Sequence, residues 1–171
     1  MSQKIKEIDT AISVLFSRGK KIKEAANLLK EKNKLEIPFD LLVSTSLELF
    51  LKVIRSSQER QQFKNNSSAD KHKDIFKTLK DENHDIQELI KKANIKEKCN
   101  IKTKEASSGK EWIITFNKKD IRIKKLESLR YGLLASHQDT GTFPVADQEE
   151  KNEIIKFLKC VEEEAELKLN K

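Results

Sequence analysis

Apolar residues recur at intervals of three and four through the opening stretch of the chain. Ile5, Ile8, Ile12, Leu15, Ile22, Ala26 and Leu29 form one seam, and Gly19 lies within it. That period predicts a long amphipathic helix over residues 4–32. A glycine in the buried stripe either lets a second helix approach closely or marks a kink. Pro38 suits the first turn of a second helix over residues 39–56, where its missing N–H is not needed. This helix carries Leu41, Leu42, Val43, Leu47, Leu49, Phe50, Leu51, Val53 and Ile54, apolar nearly all round, so it is the expected centre of the fold. Glu48 and Lys52 interrupt it at i,i+4 spacing. They either pair with each other at its edge, or Glu48 turns toward a buried polar site.

The pattern then changes several times. Residues 57–70 are polar and rich in Asn and Ser, which predicts a flexible insertion. Helix resumes at Lys71 with Ile75, Phe76 and Leu79, breaks near residues 81–83, and returns with Ile86, Leu89, Ile90 and Ala93. Over residues 99–117 the period drops to two: Cys99, Ile101 and Thr103 alternate, a Ser-Ser-Gly turn follows, and Trp112, Ile114 and Phe116 alternate again. That is the pattern of a β-hairpin, with Trp112 covering one face of the helices. Asp120 is a candidate cap for a helix carrying Ile123, Leu126, Leu129 and Leu133. A turn at residues 139–144 precedes a last helix, opened by Asp147 and Glu150 in the manner of a capping box, with Ile154, Leu158, Val161 and Ala165 inward. The sum is a mainly α protein, one domain over residues 1–171, built as a bundle of four to five helices with one inserted hairpin near 99–117.

Composition agrees and adds a charge pattern. Four Gly and two Pro in 171 residues disfavour a turn-rich all-β fold. The 35 basic and 28 acidic side chains leave a net charge of +7, which permits an anionic partner. Residues 118–130 hold six basic and two acidic side chains, whereas residues 147–168 hold eight acidic and four basic. Cys99 and Cys160 form no CxxC motif, so neither a zinc knuckle nor a disulfide framework is expected. No apolar leader and no run of membrane-spanning length is present, which predicts a cytoplasmic, reducing location without membrane contact. Gly-rich phosphate loops and metal-binding motifs are lacking as well, so no cofactor or metal is expected.

The candidate chemistry sits in residues 128–137, which contain the only Tyr. On a helix, seven residues turn about 700°, so Arg130 and His137 would share a face two turns apart. A permanent cation beside a group that titrates near neutrality suits work on phosphate. The competing reading is a solvated Arg130 and a loop His137 beyond a helix that frays at Gly132.

Three segments, in order, resemble the HEPN family (higher eukaryotes and prokaryotes nucleotide-binding). Ser46-Leu-Glu-Leu-Phe-Leu-Lys-Val-Ile54 resembles its second helix, His84-Asp-Ile-Gln-Glu-Leu-Ile90 the start of the following one, and Leu129-Arg-Tyr-Gly132 the segment before its closing helix. The resemblance implies a compact helical bundle that commonly forms a homodimer. It also implies RNA or a nucleotide as ligand, and an antitoxin or a defence-system protein as a candidate partner. Many members are metal-independent endoribonucleases carrying Arg, four to six residues, then His; Arg130 and His137 match at the long limit. In that reading His137 moves the proton of the ribose 2′-hydroxyl or the leaving 5′-oxygen, and Arg130 holds the phosphate. Tyr131, Lys119, Lys124 and Lys125 would then line the RNA or nucleotide site, with Glu48 as a supporting acid. The Arg-Tyr form is more typical of members that bind nucleotides or partners without cleaving RNA, so a non-catalytic module is the alternative.

Overall fold

The computed structural model describes residues 3–31, 36–65, 75, 86–96, 98–106, 111–126, 129 and 146–171. Within them the chain is mainly helical, with one small antiparallel sheet. In chain order the elements are α1 (Gln3–Leu29), α2 (Glu36–Asn65), α3 (Ile86–Ala93), β1 (Ile101–Glu105), β2 (Glu111–Phe116), β3 (Lys119–Lys124) and α4 (Gln148–Leu169).

The apolar run in α2 makes it the centre: Leu47, Phe50, Leu51, Val53 and Ile54 have no exposed surface. Around it pack α1, α3, α4 and β3. The seam of α1 reaches it through Ile8, Ile12 and Phe16, with the Phe16 and Phe50 rings 5.9 Å apart. Gly19 allows this approach. A Cβ there would lie 2.8 Å from Cε1 of Phe50, and the bare Gly19 carbonyl accepts a hydrogen bond from the buried Ser46 hydroxyl at 3.0 Å. Of the two roles expected for this glycine, close helix approach is the one observed.

α2 does not end at Ser56. It continues to Asn65, through part of the stretch expected to be a flexible insertion at 57–70; residues 66–70 lie outside the described ones. Gln, Glu and Arg are good helix formers, and tertiary partners hold the polar face of this extension. Arg60 is buried, donating to Asp9 at 2.8 Å and to the Leu169 carbonyl at 3.3 Å, while Phe63 one turn later joins the core.

The expected hairpin is a three-stranded sheet in the order β1-β2-β3. Residues 119–124 form its third strand, where a helix capped by Asp120 and carrying Ile123 was expected. Asn117 and Lys118 make the turn with φ of 49° and 66°, the doubly left-handed backbone that matches the twist of a two-residue hairpin. Trp112 faces Ile123 and Ile114 faces Ile121 across the pair. These residues, with Ile101 and Phe116, form the core side, and the Phe116 ring lies 5.5 Å from that of Phe157 in α4. Helix begins only after the strand: Leu126 and Leu129 are helical and buried, and the Leu129 N–H donates to the Lys125 carbonyl at 3.1 Å.

Asp147 caps α4, its carboxylate accepting the Glu150 N–H at 2.8 Å. The reciprocal half of a capping box is replaced by a tertiary contact, because the Glu150 carboxylate accepts the Arg122 N–H of β3 at 2.9 Å. Cys99 and Cys160 are joined in a disulfide, with Cα atoms 6.1 Å apart, contrary to the expectation drawn from their spacing. Folding brings together two residues that are 61 positions apart. Such a bond persists in oxidising surroundings, so it does not follow from the reducing location expected above. No helix among the described residues is long and apolar enough to cross a membrane.

Candidate functional site

The stretch of chain that contains the sheet is basic. Residues 96–125 hold ten basic and four acidic side chains, a net of +6 within a chain of +7. Their exposure differs. Lys102, Lys104 and Arg122 are exposed on the solvent side, and Lys118 is exposed at the β2–β3 turn. Thr115 and Asp120 lie among them, joined by a 2.6 Å hydrogen bond, and Lys104 reaches Asp120 at 3.2 Å. These donors, the Thr115 hydroxyl first and Lys104 second, hold the Asp120 carboxyl below its ordinary titration range.

The lysines assigned to a phosphate cleft have separate positions. Lys124 lies inside, its ammonium 2.6 Å from Asp40 of α2 and its carbonyl accepting the Ser44 hydroxyl at 2.6 Å. Lys125 is half-buried with its ammonium 4.2 Å from the centre of the Trp112 ring, a cation–π arrangement. Lys119 is exposed and paired with Glu149, whose hydrogen bond and charge raise its pKa. Glu48 pairs with Lys52 at 2.7 Å, as in the first of the two arrangements expected for it, but both are buried rather than at the edge of the helix. Arg130, Tyr131 and His137 lie outside the described residues.

Lys119 borders a cleft of about 550 Å³ between β3 and the first turns of α4, lined by Asp120, Arg122, Asp147, Glu149, Glu150 and Glu153 among others. Five carboxylates against two cations make it a poor place for a phosphate. Burial pushes the Glu150 carboxyl above its usual range, and this outweighs the opposing hydrogen bond from the Arg122 N–H. No group of three or more His, Cys, Asp or Glu positioned to hold a metal ion occurs among the described residues.

Two features of this region escaped the sequence. One is the β3 strand, signalled by the alternation Ile121-Arg122-Ile123. The other is the buried Asp40–Lys124 pair, which no local pattern announces. No protein-family model matches the chain, nor does any curated protein or solved structure.

Proposed function

We propose that this protein binds RNA or a nucleotide through the cationic solvent side of its sheet and the residue 125–137 segment that follows it, as a HEPN-like module. The observation that carries this reading is the net charge of +6 in residues 96–125, with Lys102, Lys104 and Lys118 exposed on one side of the sheet and its turn. Clustered exposed cations gather phosphates by releasing condensed counterions. Binding is put before cleavage because the Arg130-Tyr131 form is the one more typical of members that do not cleave RNA. Lys124 and Lys119, expected to line the RNA or nucleotide site, are engaged by carboxylates, and the reading does not rest on them.

Cleavage is the second reading, carried by the Arg130-to-His137 pattern beside Tyr131 and by the HEPN resemblance. It needs no metal, only a 2′-hydroxyl that His137 deprotonates and a phosphate that Arg130 neutralises. A homodimer, and an antitoxin or defence-system partner, belong to the same proposal.

Labelled total RNA incubated with the protein in EDTA, beside His137→Ala, separates the readings. Binding without cleavage supports the module. Cleavage lost in the variant supports the nuclease. The binding arm is followed against salt, where Lys102→Ala with Lys118→Ala should flatten the log–log slope by about 1.4, as expected for two lost single-strand phosphate contacts. Absence of both binding and cleavage refutes the proposal.

A further inference from the structure

Among the described residues, β1 is hydrogen-bonded only to β2 and leaves its other edge open. The opposite edge of the sheet is not left in this way, since Glu150 takes the outward Arg122 N–H of β3. The Ala106 N–H donates to the Glu111 carbonyl at 3.1 Å, which sets the parity of the β1–β2 ladder. With Lys104 opposite Ile113 and Lys102 opposite Thr115, those two lysines exchange their backbone bonds with β2. Ile101, Thr103 and Glu105 therefore direct theirs outward. The Ile101 N–H is taken by the Lys96 carbonyl at 2.9 Å. The Ile101 carbonyl, both backbone groups of Thr103 and the Glu105 N–H face the open edge.

We propose that this edge receives an extended acidic peptide segment as a fourth, antiparallel strand of the sheet. The flanking charge selects the occupant. Lys102 and Lys104 are exposed on the solvent side of β1, and Lys96 is exposed in the turn leading into it, near Lys98, which pairs with Glu164 at 3.0 Å. A second copy of β1 would set these lysines against their own counterparts, an arrangement that blocks self-pairing at sheet edges. An incoming strand with Glu or Asp at alternate positions meets them with opposite charge. Lys104 already reaches one carboxylate on this face, that of Asp120 at 3.2 Å. RNA has no alternating amide donors and acceptors to complete a ladder, so this inference does not depend on RNA binding.

The geometry fixes which amides of the partner must be free. Acidic side chains opposite Lys102 and Lys104 belong to residues whose own N–H groups point away from β1. The intervening residues point their N–H groups at the Ile101, Thr103 and Glu105 edge. The probe is a fluorescent nine-residue peptide of alternating Glu and Val, titrated by anisotropy against the full-length oxidised protein. Two further versions carry N-methyl groups on all Val amides or on all Glu amides. The Val-methylated peptide should bind at least tenfold more weakly, while the Glu-methylated peptide should bind like the parent. Lys102→Glu with Lys104→Glu, two exposed substitutions, should lose the parent peptide and gain a Lys/Val peptide of the same length. Equal binding of all three Glu/Val peptides, or no binding, overturns the proposal. So does an oligouridylate that shows the same charge-reversal loss while methylation of the peptide has no effect, because that behaviour marks a general polyanion surface.

Discussion

The Glu150 carboxylate accepts the backbone N–H of Arg122 at 2.9 Å, so the first turn of the most acidic helix closes the outer edge of β3. One side chain thereby satisfies a strand donor that would otherwise face the cleft, and it ties the cationic sheet to α4. Burial acts against this carboxylate when it is ionised.

That opposition has a pH signature. An unperturbed glutamate titrates near 4.5, and Glu150 titrates higher because it is desolvated. Between those two values the folded protein retains a proton that the unfolded chain has released, so stability falls as pH rises through the window and levels off above it. Glu150→Gln keeps an oxygen acceptor and removes the titration. From pH 4.5 upward the wild type should therefore lose stability relative to Glu150→Gln. The loss should be about 0.5 kcal/mol or less, because half of the side chain is solvent-screened. Urea melts at several pH values measure it, and parallel curves for the two proteins would refute it.

Lys124 should behave as a structural cation. Lys124→Met leaves the Asp40 carboxylate buried without its ammonium partner, which should cost about 3 kcal/mol. Adding Asp40→Asn should restore most of that loss. If Lys124 instead served mainly as an RNA contact, the single variant would bind RNA less well at unchanged stability.

Gly19 marks a close approach of α1 to α2. Alanine there gains roughly 1 kcal/mol in helix propensity but meets the Phe50 ring at 2.8 Å, and overpacking a closed core costs about 1–3 kcal/mol. Gly19→Ala should be destabilised by about 1 kcal/mol, and Phe50→Leu in the same chain should relieve the clash. A more stable Gly19→Ala would mean that the ring has room to move.

The Cys99–Cys160 bond closes a loop of 61 positions, for which chain entropy predicts about 4 kcal/mol of stabilisation. Cys160→Ser should approach that loss in denaturant melts without reductant. Thiol titration of the unfolded wild type, also without reductant, should find no reactive sulfhydryl; two per chain would refute the bond.

The helices were legible because their information is local. The spacing from Ile5 to Leu29 dictates a stripe, the apolar run around Leu47 dictates a centre, and Asp147 supplies a cap that needs only its own next turn. The hairpin at 99–117 was legible for the same reason, since alternation is a period of two. The third strand was missed because Ile123, Leu126 and Leu129 also fit a helical spacing, and pairing with β2 decided between the two periods. The extension of α2 past Ser56 depended on Asp9 and Leu169, which lie far from Arg60 in sequence.

For the candidate site the division is sharper. The sequence by itself determined where the charge lies, because composition along the chain needs no fold. It placed Lys119, Lys124 and Lys125 in one basic run leading toward Arg130. Only the tertiary structure decided what those cations do. One is turned inward against Asp40, one lies over Trp112, and one is paired with Glu149. The physical reason is that a charge's role depends on what surrounds it in three dimensions: a cation beside a carboxylate is partly neutralised, and a buried one is withdrawn from any ligand. Strand alternation alone does not decide it: Lys124 shares a face with the exposed Arg122, and it is Asp40 of α2 that withdraws it from solvent.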